Sequence, residues 1–141
     1  MIKFPKISIY HNYEAAWSIH AAIFFGGSIA MRVLLVLPRK PAQVKDIPGS
    51  LTNMQELVGG CIQAVYPFDE SVALVCNDEG KLLNLPPNRF LRDPATGIIY
   101  DYIAGPFFLC AAPPDSENFV SLSEEQLARY SDYYNHPVTM I

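Results

Sequence analysis

The sequence contains few of the side chains that most enzyme mechanisms require. It has 3 histidines in 141 residues, and of these only His136 lies beyond Met31. His136 precedes a proline at the predicted end of a helix, where the backbone frays. Ser–His–Asp and Cys–His mechanisms need a base held within hydrogen-bond reach of the nucleophile. We therefore predict that the chain is not an enzyme and has no catalytic residue.

Cysteine is also scarce, and its spacing does not favour metal or disulfide chemistry. Cys61, Cys76 and Cys110 include no C-x-x-C pair, and each lies among apolar residues. A zinc site needs three or four clustered Cys or His ligands. We therefore predict buried free thiols in a reducing cytoplasm, with no metal site and no cofactor.

Basic residues are too few and too scattered for a nucleic-acid site. The chain has 10 Lys and Arg against 14 Asp and Glu, which gives a formal net charge of −4. Binding to a phosphate backbone requires clustered cations, so we do not expect direct nucleic-acid binding. An acidic balance instead favours a basic protein partner.

No long hydrophobic run is present, and the most apolar stretch lies within residues 1–30. Its core, residues 15–25, is shorter than the about twenty residues that span a bilayer, so no membrane insertion is predicted. One interpretation of residues 1–30 is a signal-like segment. We favour another, because the codons for Gly-Gly-Ser at 26–28 can form a ribosome-binding site just before Met31. Residues 1–30 are then a leader outside the natural domain, and residues 31–141 form a single domain.

Short apolar runs separated by Gly and Pro predict a series of strands. The predicted strands cover residues 33–37, 41–48, 61–66, 71–76, 98–102 and 107–112. Ser50 is the predicted N-cap of a helix that Gly59 and Gly60 end. Ser123 and Gln126 form a capping box for a second helix. We predict an α+β domain with a mainly antiparallel sheet and two short helices packed on one face of it.

The polar segment 77–89 is the most distinctive part of the sequence. Gly80 is expected to adopt a positive φ in a turn, and residues 81–83 are expected to continue as a strand. The Pro-Pro pair that follows cannot donate ladder hydrogen bonds, so the chain should leave the sheet there. Residues 88–92 are then predicted to form one helical turn.

The same segment carries the candidate binding residues. Lys81 and Arg89 are suited to binding a phosphate or carboxylate, and their neighbours add hydrogen-bonding groups. The predicted ligand- or partner-binding residues are Asn77, Glu79, Lys81, Asn88 and Arg89. A structural interpretation stays open, in which Arg89 pairs with a nearby acid and the asparagines bond to turn backbone.

Several sequence features of residues 31–134 together carry a resemblance to a known family. They are the opening Met31-Arg32-Val33-Leu34, the helix end Leu57-Val58-Gly59-Gly60, and the block Asn77-x-Glu79-Gly80-Lys81-Leu82-x-x-Leu85-Pro86-x-Asn88-Arg89. With these features the chain resembles the family called domain of unknown function 3846. The resemblance implies an origin in phages, plasmids or other mobile elements, and it transfers no catalytic residue.

The function that we predict is that of a non-enzymatic accessory protein of a phage or mobile element. It would bind a host protein, such as a defence nuclease of a CRISPR system, and inhibit it. Tyr130, Tyr133 and Tyr134 are candidate anchors for this partner. The helical spacing of Tyr130 and Tyr134 also predicts packing against the sheet.

The alternative prediction is a small-ligand or nucleotide-sequestering module. It would use the guanidinium of Arg89, the ammonium of Lys81 and the amide of Asn88 to hold an anion.

Overall fold

The computed structural model describes residues 30–136, so the predicted leader, apart from Ala30, lies outside the described residues. Within that range the chain is an α+β domain, as predicted. The strands are β1 (Ala30–Val36), β2 (Gln43–Pro48), β3 (Ile62–Val65), β4 (Val72–Asn77), β5 (Pro87–Arg92), β6 (Ile99–Ala104) and β7 (Phe107–Ala111). The helices are α1 (Leu51–Val58) and α2 (Glu124–Tyr133). None of the described helices is long and apolar enough to cross a membrane.

Five of the described strands form one antiparallel sheet in the order β2-β1-β7-β4-β3. β7 lies at its centre, with Leu109 opposite Leu34 on one side and Leu74 on the other. β5 and β6 pair only with each other and form a separate two-stranded antiparallel hairpin. The hairpin is inserted between β4 and β7 in the chain, and its ends therefore meet one end of the main sheet.

The two helices cover opposite faces of the sheet, so the prediction that both lie on one face is wrong. Val33 and Leu35 of β1 belong to the buried cluster that contains α1. Leu34 and Val36 belong to the cluster that contains α2. Alternate side chains of a strand point to opposite faces. The continuous apolar run at 33–37 is therefore explained by burial on both sides.

The predicted helix ends are confirmed. The Ser50 side chain accepts a hydrogen bond from the backbone N–H of Asn53 at 3.2 Å. Gly59 ends α1 in the left-handed region with φ 83°. Ser123 and Gln126 form both hydrogen bonds of a capping box at the start of α2.

The segment 77–89 folds differently from our prediction. Gly80 is not among the described glycines of positive φ, whereas Asn84 has φ 58°. Residues 81–84 form a turn rather than a strand, and residues 88–92 lie in β5 rather than in a helical turn. Pro87 is tolerated because it is the first residue of its strand. Gly80 is needed for space, since a Cβ there would lie 2.4 Å from the carbonyl oxygen of Ala104.

The cysteine prediction is right for two residues and wrong for the third. Cys76 and Cys110 are buried and outside any disulfide, as predicted. Cys61 is exposed, because it immediately precedes β3 at the edge of the sheet.

Glu70 fastens α2 to the loop between β3 and β4. Its carboxylate accepts hydrogen bonds from the Tyr130 hydroxyl, from Gln126 Nε2 at 3.2 Å and from Arg129 Nη2 at 2.8 Å. The bond from Tyr130, followed by those from Gln126 and Arg129, lowers the pKa of Glu70 against the opposing effect of desolvation. Ionised Glu70 therefore stabilises the docked helix.

Replacing Gly80 with alanine should destabilise the fold by about 1–3 kcal/mol, because the new methyl group meets backbone that cannot move aside. Gly49→Ala is the control, since nothing lies within 4 Å of a Cβ at that position. It should leave stability within about 1 kcal/mol of the wild type. Urea unfolding measures both variants, and equal stabilities would contradict the close approach of Gly80 to Ala104.

Stability should depend on pH through Glu70. The pKa of Glu70 is lowered in the folded state. The stabilisation that its carboxylate provides is therefore fully present above the ordinary pKa of a glutamate, and it is lost as the pH falls through the lowered value. The difference in unfolding free energy between the wild type and Glu70→Gln should be largest at neutral pH. It should shrink from about pH 5 downward.

Glu56→Gln, which changes an exposed glutamate on α1, serves as the control. Its urea-unfolding profile should run parallel to that of the wild type at each pH. If the difference in unfolding free energy between the wild type and Glu70→Gln stays constant as the pH falls, ionised Glu70 does not stabilise the packing of α2.

Candidate functional site

A β-bulge decides where the polar residues of β5 point. Pro87 pairs with Ala104 and Arg89 with Ile103, which leaves Asn88 as an extra residue on β5. Bulges of this kind re-aim side chains. Asn88 and Arg89 are consecutive, yet both are buried, with exposed fractions of 1% and 4%.

The Asn88 side chain joins the hairpin to the main sheet. Its Nδ2 donates to the carbonyl oxygens of Val36 and Gly105, each at 2.9 Å. Its Oδ1 accepts a hydrogen bond from Arg89 Nη1 at 2.8 Å. The amide therefore ties β5 to the end of β1 and to the turn between β6 and β7.

The Arg89 guanidinium binds backbone carbonyls rather than an acid. Its Nη2 donates to Lys40 O at 2.7 Å and to Tyr134 O at 2.8 Å. None of the ion pairs among residues 30–136 includes Arg89, and its Nε is buried without a hydrogen-bond partner. Burial lowers the pKa of this guanidinium. The contact with Tyr134 places a positive charge at the C-terminus of α2, where the helix dipole favours it.

Asn77 closes the end of α1. Its Nδ2 donates to Val58 O at 3.1 Å, and its Oδ1 accepts from the backbone N–H of Glu79 at 2.7 Å. The side chain also lies so close to Gly60 that a Cβ there would be 2.9 Å from Asn77 Nδ2. The bond from Glu79 is a turn-backbone contact of the kind that the structural interpretation describes, whereas Val58 is distant in the sequence.

Lys81 and Glu79 are the solvent-facing members of the predicted set. Lys81 Nζ forms an ion pair with Asp101 and lies 4.6 Å from the ring centroid of Tyr102. Glu79 is exposed. The structure thus brings Asn88 and Arg89 together in the interior, and it places Asn77, Glu79 and Lys81 elsewhere.

A different surface has the character of a binding site. We use the name hairpin patch for Ile98, Ile99, Tyr100 and Tyr133, which are all large, apolar or aromatic, and exposed. Tyr100 is 57% exposed and Tyr133 is 52% exposed. Tyr100 is the extra residue of a second irregularity, because Leu91 pairs with Asp101 and Arg92 pairs with Ile99.

The two tyrosines of the patch lie within electrostatic range of each other. Partial burial raises the pKa of Tyr100, and electrostatic interactions with Asp101, Asp93 and the hydroxyl of Tyr133 raise it further. The Tyr133 ring in turn packs on Tyr134, with centroids 4.8 Å apart, and on Phe68 at 6.5 Å. The patch is therefore backed by a packed aromatic cluster that holds Tyr133 in place.

Of the three tyrosines predicted as partner anchors, Tyr133 alone is exposed. Tyr130 and Tyr134 are buried against the sheet, which confirms the packing role predicted for them. The binding residues predicted from the sequence do not include Ile98, Ile99 and Tyr100. The available signal was a run of large apolar residues directly after the 93–97 turn, which a two-stranded hairpin cannot bury on both faces.

Side chains that could bind a metal ion are not clustered in the described part of the chain. Between residues 30 and 136 no group of three or more His, Cys, Asp or Glu side chains is arranged to hold a metal ion.

Comparison with known proteins matches the chain to a sequence family. The sequence model of the family described as domain of unknown function (DUF3846) matches residues 31–135. No curated protein and no solved structure matches the chain.

Asn88→Ala should destabilise the protein by about 3 kcal/mol or more, because it leaves several buried groups without partners. Lys81→Ala, in the same segment, removes an exposed ion pair and should cost less than about 1 kcal/mol. Urea unfolding of the two variants measures the difference. Similar stabilities would show that the buried amide does not hold the hairpin in place.

Proposed function

The chain belongs to the DUF3846 family, and on that premise we propose that it is a non-enzymatic accessory protein that acts by binding another protein. The resemblance noted in the sequence suggests a phage or other mobile element as its source. The partner that we propose is a host protein in the cytoplasm, such as a defence nuclease of a CRISPR system, whose activity the bound protein would inhibit.

The observation that carries this proposal is the hairpin patch. Exposed apolar side chains that lie together, rather than singly, are typical of interaction sites. Tyrosine is enriched among the residues that dominate binding energy at protein interfaces. The patch combines two exposed tyrosines with two exposed isoleucines.

The net charge adds a second argument. Half of the basic side chains that the structure describes are paired or buried: Arg32 binds Asp46, Lys81 binds Asp101 and Arg129 binds Glu70. Arg89 is buried. The remaining surface is therefore dominated by carboxylates, which complements a basic partner such as a nucleic-acid enzyme.

A small-ligand function has less support. The terminal nitrogens of Arg89 are occupied by protein carbonyl groups, and the amide of Asn88 is used within the fold. An anion would have to displace these contacts. The geometry thus favours a macromolecular partner over the sequestering module.

The test is co-purification from host lysate with an Ile99→Ser/Tyr100→Ser variant. A matched control is Val44→Ser on β2, since Val44 is 51% exposed and lies outside the patch. The wild type and the control should retain one stoichiometric protein, and the double variant should lose it. Circular dichroism and thermal melting confirm that each variant is folded.

Retention of the same protein by the double variant would contradict a role for the patch. Release of a nucleotide from the denatured wild type, with no protein partner, would favour the sequestering module instead.

A further inference from the structure

β2 leaves one side of the main sheet without a further strand in the described chain. It pairs with β1 along residues 43–48 and lies at the end of the strand order. In an antiparallel ladder, alternate residues direct their N–H and C=O groups away from the neighbouring strand. Outside the β1–β2 ladder, no backbone hydrogen bond within residues 30–136 involves residues 43–48. The outer edge of β2 can therefore accept another strand.

Free cations collect along this edge. Lys45 lies in β2, and Arg39 and Lys40 lie in the turn that joins β1 to β2. All three residues are exposed, and none of them forms an ion pair in the described part of the chain. The edge of β2 is thus a positive region on a surface that is otherwise mainly acidic.

A further positive charge lies beneath the turn. Arg89 Nη2 donates to Lys40 O at 2.7 Å, and this guanidinium is buried. Desolvation lowers the pKa of Arg89 and an electrostatic interaction with Tyr134 raises it, and no carboxylate of the described chain is among these causes. The charge of Arg89 is therefore not cancelled locally, and it adds to the charges of the turn above it.

The charge balance of the β1–β2 hairpin, counted from contacts, is positive. Arg32 binds Asp46 at 2.8 Å and Glu124 at 3.5 Å. These pairs lie toward the open end of the hairpin, because Arg32 is opposite Asp46 in the register, two residues from the end of the ladder. Against these two carboxylates, the hairpin carries or contacts five cations: Arg32, Arg39, Lys40, Lys45 and Arg89.

Arg39 is held in a strained backbone conformation. The N–H of Lys40 donates to Leu37 O at 3.2 Å, and Arg39 has φ 64°. With Pro38 before it, Arg39 occupies the position of a type II turn that glycine prefers. Glycine there would remove the strain, but the guanidinium would be lost with it. A strained backbone at an exposed cation favours a function for the side chain.

A second copy of β2 fits this edge poorly. A two-fold axis pairs equivalent strands so that the same surface lies on both sides of the interface. The two central registers of a β2–β2 pair place Lys45 opposite Lys45 or Asp46 opposite Asp46. Like charges directly opposite each other are destabilising. β3, at the other edge of the sheet, has 4 residues and no charged side chain, so charge selects no partner there.

We propose, on the basis of the protein-binding function above, that β2 pairs with an extended acidic segment of the partner protein. The backbone of that segment forms a ladder with the free edge of β2. Its carboxylates accept charged hydrogen bonds from Lys45 and from Arg39 and Lys40 in the turn. An acidic strand on a partner whose surface is basic elsewhere fixes the orientation in which the two proteins meet.

The probe is a short fluorescent peptide that alternates glutamate with threonine, a residue of high β propensity. Fluorescence polarisation measures its dissociation constant for the whole protein, and the lysine–threonine peptide is the comparison. The acidic peptide should bind and the basic one should not. An analogue that is N-methylated at every peptide bond keeps the carboxylates but has no backbone donor. It should lose binding, because it cannot form the ladder.

The charge variant is Arg39→Gly/Lys40→Gln. Glycine suits the positive φ, so this variant should unfold at the same urea concentration as the wild type or at a higher one. It should bind the acidic peptide about tenfold more weakly, and the difference should shrink at high salt. Arg92→Glu is the matched control, since it lowers the net charge equally at an exposed position of β5. That control and Val44→Ser, which leaves the backbone and charge of β2 unchanged, should bind within about twofold of the wild type.

Several outcomes would overturn the inference. Equal binding of the methylated analogue would mean that no strand is added, and equal binding by the charge variant and its control would mean that the turn does not select carboxylates. An oligothymidylate that binds as tightly as the acidic peptide would assign the cations to phosphate groups. A wild-type dimer that the peptide does not dissociate would assign the edge to a second copy.

Failure of this inference is distinguishable from failure of the proposed function. If the acidic peptide does not bind, but the wild type retains a lysate protein that Ile99→Ser/Tyr100→Ser loses, the β2 site is wrong and the proposed function stands. If neither the peptide nor a lysate protein is retained, both are wrong.

Discussion

The buried guanidinium of Arg89 is the constraint on which the rest of the structure depends. A charge removed from water is very unfavourable unless its hydrogen-bond donors find partners. Here the partners are carbonyl oxygens of Lys40, Asn88 and Tyr134. They belong to the β1–β2 loop, to β5 and to the end of α2. Three parts of the chain that are distant in sequence must therefore meet at one point for the charge to be accommodated.

The position of the hairpin follows from that junction. Asn88 fixes its base to β1 and to the turn before β7, while Leu91 and Ile103 join the buried cluster beneath α2. A two-stranded sheet has no further strand to cover its far end. Ile98 and Ile99 lie beyond the part that is packed and stay exposed. The exposed patch is thus a consequence of how the interior is held together.

Features whose determining contacts are local were predicted correctly from the sequence. The caps at Ser50 and Ser123 depend on backbone groups within three residues, and strand positions follow from short apolar runs. The prediction failed for residues 88–92, because two prolines and an asparagine suggested a turn. The strand there exists only because β6 pairs with it, and the bulge at Asn88 depends on that pairing. The acid expected beside Arg89 is replaced by carbonyl groups from remote segments.

The sequence by itself determined the class of fold, the helix ends, the family and the scarcity of catalytic side chains, because these depend on composition, periodicity and short motifs. The tertiary structure alone decided which polar residues of 77–89 are buried. It also placed the helices on opposite faces of the sheet and brought Tyr100 within electrostatic range of Tyr133. The physical reason is that burial and neighbourhood depend on strand pairing between distant segments, and the spacing of residues along the chain does not encode that pairing directly.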